Sequence, residues 1–167
     1  MGFRMFTETP ASLLEIRIIS SILSYQYGID YKKIYHMLKN LDVRIQRSSS
    51  TGRIRHVYIE GKLVFTLRAT DSYVVFTPQG VIMLHDLLAD RYYIAVTDDA
   101  AEYIAKGRTV FSKHVIEADP QILPGDEVFV KNKDKVIAIG KALLPGSEMG
   151  RIKRGKAVKT RKGIREK

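Results

Sequence analysis

At Val43 the apolar residues of this 167-residue chain change their spacing. Before it, Leu13, Ile16, Ile19, Ile22 and Leu23 recur at the interval of one helix face, and Gly28 supplies a stop. Thr9-Pro10 offers a cap followed by proline at a first helical position, and Ser12 with Glu15 offers a competing capping box. A second short helix, capped by Asp30, carries Ile34, Met37, Leu38 and Leu41. After Val43 the interval is two: Val43 and Ile45, then Ile54, Val57 and Ile59, then Leu63, Phe65 and Leu67, with Glu60-Gly61 as a hairpin turn. That alternation builds an antiparallel sheet. A Val74 to Phe76 strand follows. Thr77-Pro78 then opens a helix with Val81, Ile82, Leu84, Leu87 and Leu88, and this unit closes near Asp90. The apolar side chains Leu14, Ile18 and Tyr25 fall off the main stripe of the first helix and are assigned to the core.

The second unit reads differently. A strand from Tyr92 to Val96 leads into a helix with Asp98-Asp99 as cap and first-turn acid, ending at Gly107. Strands then dominate: Val110 to Ile116, Glu127 to Lys131, Lys135 to Leu144 and Ala157 to Arg161, separated by Asp119-Pro120, Pro124-Gly125, Asn132 to Asp134 and Pro145-Gly146. Short strands at close spacing with one helix predict a small mixed barrel. The fold class is therefore α+β, with a small α+β domain over residues 1–90 and a mixed β pseudo-barrel over residues 91–167.

Charge supplies the first functional content. The 28 Lys and Arg exceed the 18 Asp and Glu to give +10, which favours a polyanion as partner. Residues 151–167 hold nine basic residues opposed only by Glu166, and no acid lies between Arg44 and Arg55. Arg165 to Lys167 reads as a solvated tail. The stretch through Arg161 interleaves Lys153, Arg154, Lys156 and Lys159 with Ala157 and Val158, a strand-like pattern that presents Lys156 or Lys159 on a rigid surface. Gly107 at a helix exit, followed by Arg108, Thr109 and Lys113, suits close approach of backbone amides to a phosphate.

Catalytic patterns are missing by comparison. Gly140, Gly146, Gly150 and Gly155 do not form a dinucleotide fingerprint, and no P-loop occurs. The four histidines, His36, His56, His85 and His114, are scattered, and with no cysteine neither a zinc site nor a thiolate is expected. Ser48-Ser49-Ser50 lacks the glycines of a nucleophile elbow, and Asp98-Asp99 sits where helices take acids for capping. No catalytic residue, metal or cofactor is assigned. No apolar run reaches the roughly 18 residues of a membrane span, and the first ten residues lack a signal-peptide pattern, so a cytoplasmic protein without a membrane partner is expected.

Several blocks in order resemble the PUA domain (pseudouridine synthase and archaeosine transglycosylase), an RNA-binding pseudo-barrel. They are Val110-Phe111-Ser112-Lys113-His114-Val115, Asp119-Pro120 with Ile122, Pro124-Gly125-Asp126-Glu127-Val128, Ala138-Ile139-Gly140-Lys141-Ala142 and Gly155-Lys156-Ala157-Val158-Lys159. In the first half, Tyr25-Gln26-Tyr27-Gly28, Thr51-Gly52-Arg53-Ile54-Arg55, Leu67-Arg68-Ala69-Thr70-Asp71 and Thr77-Pro78-Gln79-Gly80 resemble the domain preceding PUA in archaeal archaeosine tRNA-guanine transglycosylase. That family's TIM-barrel aspartate chemistry and cysteine-rich zinc site have no counterpart here.

The resemblance implies a non-catalytic protein that binds the acceptor stem and 3′ end of tRNA, in connection with tRNA modification. It implies an accessory or split subunit whose chemistry belongs to a separate TIM-barrel transglycosylase chain. A ribosome- or translation-associated PUA-domain factor is the alternative, and an independent RNA-modifying enzyme a third reading. Carried over by position, the RNA-facing residues are Gly107, Arg108, Thr109, Val110, Phe111, Ser112, Lys113 and His114. With them come Arg151, Lys153, Arg154, Lys156, Lys159 and Arg161. Arg53 and Arg55 match a basic turn and are carried as additional RNA contacts. Ser112 and His114 depart from the family pattern, which has a small apolar and an aromatic or apolar residue there.

Overall fold

Ser12 decides where the first helix begins. In the computed structural model, which describes residues 7–88 and 91–165, the Ser12 hydroxyl accepts from the Glu15 amide at 3.3 Å. The Glu15 carboxylate accepts in turn from the Ser12 amide at 2.7 Å. This capping box opens α1 (Leu13–Tyr27), and Gly28 ends it in a left-handed conformation. The competing start at Thr9-Pro10 is not used. Those two residues form strand β1 (Thr9–Pro10) at the edge of a sheet, where proline's missing amide hydrogen leaves no ladder bond unmade. Asp30 caps α2 (Tyr31–Leu38), accepting from the Lys33 amide at 2.9 Å.

The alternating stretch folds as β2 (Val43–Arg47), β3 (Ile54–Ile59), β4 (Lys62–Leu67) and β5 (Val74–Phe76). They join β1 in a five-stranded antiparallel sheet in chain order. Tyr27, Phe76 and Phe65 form a chain of rings with centroids 5.3 and 5.7 Å apart, fixing α1 over β5 and β4. Gln26, also buried, bonds both ways with the backbone of Val74, donating to its carbonyl at 3.0 Å and accepting from its amide at 2.7 Å. α3 (Pro78–Leu88) follows β5. The Thr77 hydroxyl accepts from the Gly80 amide at 3.0 Å and donates to the Leu63 carbonyl at 2.6 Å. A Cβ at Gly80 would lie 1.9 Å from the Val64 carbonyl oxygen, so only glycine lets the helix sit this close to β4.

The assignment of Leu14, Ile18 and Tyr25 to the core is overturned: they are 64%, 44% and 86% exposed. Ile16, Ile19, Leu23 and Tyr27 already fill the face turned to the sheet, and a helix on one sheet face buries one stripe. Leu13 and Ile82, placed on apolar stripes by spacing, are exposed for the same reason.

The chain divides into two compact units, Met1–Leu87 and Leu88–Lys167. The expected end of the first near Asp90 lies outside the described residues, as does the tail beyond Arg165. The second unit contains β6 (Tyr93–Val96), α4 (Asp98–Ala105), β7 (Val110–Phe111), a 3-10 turn (Ser112–His114), β8 (Val115–Ala118), β9 (Glu127–Asn132), β10 (Lys135–Ala142) and β11 (Lys156–Gly163). Thr97, one residue earlier than expected, occupies the cap position of α4, leaving Asp98 and Asp99 both in the first turn. Asp98 accepts from the Asn132 side chain at 2.8 Å; that bond, with Lys133 at 3.4 Å, holds its carboxyl below the ordinary value.

The single strand expected from Val110 to Ile116 is broken in the middle. Ser112 is fully buried; its amide donates to the Gly155 carbonyl at 3.0 Å and its hydroxyl accepts from the Gly150 amide at 3.2 Å. These two bonds turn the chain from one strand position to another. The resulting sheet runs β7-β11-β10-β9-β6-β8, antiparallel except for β6 beside β9. Its two outermost strands, β7 and β8, are neighbours in sequence joined by one 3-10 turn, so the sheet must curl until its edges approach. The barrel-like interior holds Ile94, Val96, Ile104, Val110, Ile122, Val128, Val130, Ala138, Ala142 and Val158.

Candidate nucleic-acid interface

Gly107 makes the exit from α4 possible. It adopts φ 91°, a conformation L side chains resist, and its amide donates to the Ile104 carbonyl at 2.8 Å. Arg108 then closes the turn with an amide bond to the Tyr103 carbonyl at 3.1 Å. The Thr160 hydroxyl donates to the Arg108 carbonyl at 2.7 Å, pinning this loop to β11. The loop and the last strand, 40 or more residues apart in sequence, thus form one surface.

On β11 the alternation is interrupted. The register with β7 shifts between Lys156 and Val158, so Ala157 and Val158 both point inward with no exposed surface. Lys156 and Lys159 flank that anchor, and both are exposed. Arg151, Lys153 and Arg154 are exposed in the connection from β10 to β11, and Lys113 is exposed on the 3-10 turn. Among the described residues, Arg108, Lys113, Lys153, Arg154, Lys156 and Lys159 make no ion pair. Their charge is therefore uncompensated and held on ordered backbone. Phe111, 43% exposed, adds an aromatic face beside Lys156, its register partner.

Three residues expected to face RNA have other duties. Val110 and Ser112 are completely buried, Val110 in the core and Ser112 in the bonds that break the strand, so they support the surface from beneath. Arg161 donates from Nε and Nη2 to both carboxylate oxygens of Glu127, at 3.1 and 2.7 Å, and the Glu127 side chain is only 1% exposed. The guanidinium is spent on neutralising a buried acid. Thr109 is half-buried, and His114 is a quarter exposed with Nδ1 3.7 Å from the Asp99 carboxylate.

Arg53 and Arg55 lie in the other unit, at the β2–β3 hairpin, lining a concavity of about 430 Å³. Sequence reasoning missed the companions that complete it, Arg68 from the far side of β4 and the half-buried His56. Burial, and then the charge of Arg55, hold the His56 imidazole below its ordinary value. No local charge run signals Arg68, which enters only through strand pairing. Among the described residues, no group of three or more His, Cys, Asp and Glu could hold a metal ion, and no helix is long and apolar enough to cross a membrane.

The PUA family model matches residues 92–164. Those residues are a PUA domain. A model for the patch-forming domain C2 of tRNA-guanine transglycosylase matches residues 17–90 ahead of it. Over 98% of its length the chain is 36% identical to the tRNA-guanine(15) transglycosylase of Methanothermobacter thermautotrophicus, covering 25% of that protein. The Pyrococcus abyssi enzyme of the same name is 38% identical over 94% of the chain, again covering 26% of the relative. The chain thus spans about a quarter of the length of the curated relatives it matches, corresponding to their C-terminal part. Among solved structures, a conserved PUA domain protein from Thermoplasma acidophilum superposes with a TM-score of 0.70 at 25% identity, over 96% of both chains. A hypothetical protein from Pyrococcus horikoshii OT3 gives 0.72 at 25% identity, also over 96% of each. Fold and domain order are therefore those of an α+β unit followed by a PUA domain, the domain type in which the loop after α4 and strand β11 lie together.

Proposed function

We propose that this chain binds tRNA, through its acceptor stem and single-stranded 3′ end, as the non-catalytic RNA-gripping part of a transglycosylase system. The observation that carries the reading is the surface of the PUA domain. Exposed, uncompensated Arg108, Lys113, Lys153, Arg154, Lys156 and Lys159 are held by the Gly107 turn, the Thr160 bond and the buried Ala157-Val158 anchor. Phosphate contacts of this kind set affinity and register, while Phe111 offers a stacking face to an unpaired base. The whole-length likeness to part of tRNA-guanine(15) transglycosylases supports tRNA as the RNA and a transglycosylase catalytic domain as the working partner.

A salt titration tests this. Binding of a tRNA transcript, followed by fluorescence anisotropy, should weaken with a log-log slope of about −0.7 to −0.9 per phosphate contacted, and Lys113→Ala and Lys156→Ala should each reduce the slope by about one. Removing the unpaired 3′ nucleotides should weaken binding further. Equal affinity for tRNA and for an unrelated duplex, with both variants unchanged, would overturn the assignment. Co-purification with a transglycosylase catalytic domain checks the partner.

A further inference from the structure

The concavity in the first unit has a composition that asks for an anion. Arg47, Arg53, Arg55, Arg68 and His56 line it together with the hydroxyl-rich loop of residues 48–51, and its lining contains no carboxylate. Two of the arginines are already matched. Arg47 pairs with Glu15 and donates to the Gly52 carbonyl at 2.7 Å, while Arg68 grips Asp71 through two bonds of 3.0 and 2.7 Å. These pairs fix the walls. Arg53 and Arg55 make no ion pair among the described residues, so two guanidinium charges remain over the hollow.

The loop that carries them is itself ordered. The Ser48 amide donates to the Arg53 carbonyl at 2.8 Å, the Gly52 amide to the Ser48 carbonyl at 2.9 Å, and the Ser48 and Ser50 hydroxyls lie 3.0 Å apart. Nδ1 of His56, at the wall, is buried without a hydrogen-bond partner among the described residues. Fixed guanidinium forks and hydroxyls in a concave, acid-free lining match the tetrahedral oxygens of a phosphate, and the concave shape focuses their field. Resting on the reading that the chain binds RNA, we propose that this concavity is a second, independent contact site that holds one phosphodiester group of the RNA through Arg53 and Arg55.

The full chain provides the test, with tRNA anisotropy repeated across a potassium chloride series. Arg53→Gln combined with Arg55→Gln should lower the log-log slope by about 0.7 to 0.9 and weaken binding roughly ten-fold at 0.1 M salt, with the melting temperature unchanged because both side chains are free of partners. Amides of residues 48–53 should shift in a nitrogen–proton correlation spectrum when RNA is added. A wild-type slope in the double variant, alongside a reduced slope in Lys156→Ala, overturns this site and leaves the RNA reading standing. Loss of RNA binding in neither variant overturns both. Amide shifts with inorganic phosphate but none with RNA assign the hollow to a free anion and overturn the phosphodiester proposal.

Discussion

Lys159 and Arg161 stand two residues apart on β11, carry the same charge, and differ in what removing them would cost. Arg161 holds both oxygens of the buried Glu127. Charge-assisted bonds of this kind contribute about 1.5–3 kcal/mol, so Arg161→Ala should lose about 2 kcal/mol in a urea melt while leaving the salt slope of RNA binding unchanged. Lys159→Ala should do the reverse, since Lys159 is exposed and makes no ion pair among the described residues. The charge pattern alone could not separate the two. Glu127 lies 34 residues earlier, and only the path of β9, β10 and β11 brings it under the guanidinium. Val110 and Ser112 were assigned to the surface for a similar reason: sequence position marks a family block but does not mark which of its side chains turn inward.

At the scale of elements, the start of α1 combines three groups into one device. Burial opposes the charge on Glu15, but the bond from the Ser12 amide, the Arg47 guanidinium and the Ser12 hydroxyl outweigh it and hold the carboxyl below its ordinary value. A carboxyl depressed in the folded state contributes stability above its unfolded value, and that contribution fades as pH falls through the folded one. Ser12→Ala should therefore cost about 1 kcal/mol near neutral pH and flatten the loss of stability between about pH 5 and 3, both read from denaturation at a series of pH values. This capping box was visible in the sequence as one of two starts, and so were the strands of the first unit, because spacing of two and of 3.6 residues is a local property. The break at Ser112 was not. Its cause is a pair of bonds to Gly150 and Gly155, about 40 residues away, acting on a segment whose own residues favour a strand. Tyr25 was misread because a helical stripe gives no sign of how wide a face its neighbour will cover.

The whole molecule is two sheets, and each has dealt with its edges. In the second unit the outer strands are joined by one turn, so the sheet curls toward closure. In the first unit one edge is only the two residues Thr9–Pro10, and the other, β5, has its Val74 amide and carbonyl taken by the side chain of Gln26. The glutamine amide supplies the donor and acceptor that another strand would bring. Replacing it, as in Gln26→Leu, should expose that backbone and speed the growth of light scattering at high protein concentration, with little change in the tRNA salt slope. For a chain with a charge of +10, the consequence reaches beyond folding. Copies drawn onto the same polyanion are crowded to local concentrations far above that of the bulk. With no long strand edge left open, neighbours can sit side by side on one RNA without zipping into a shared sheet.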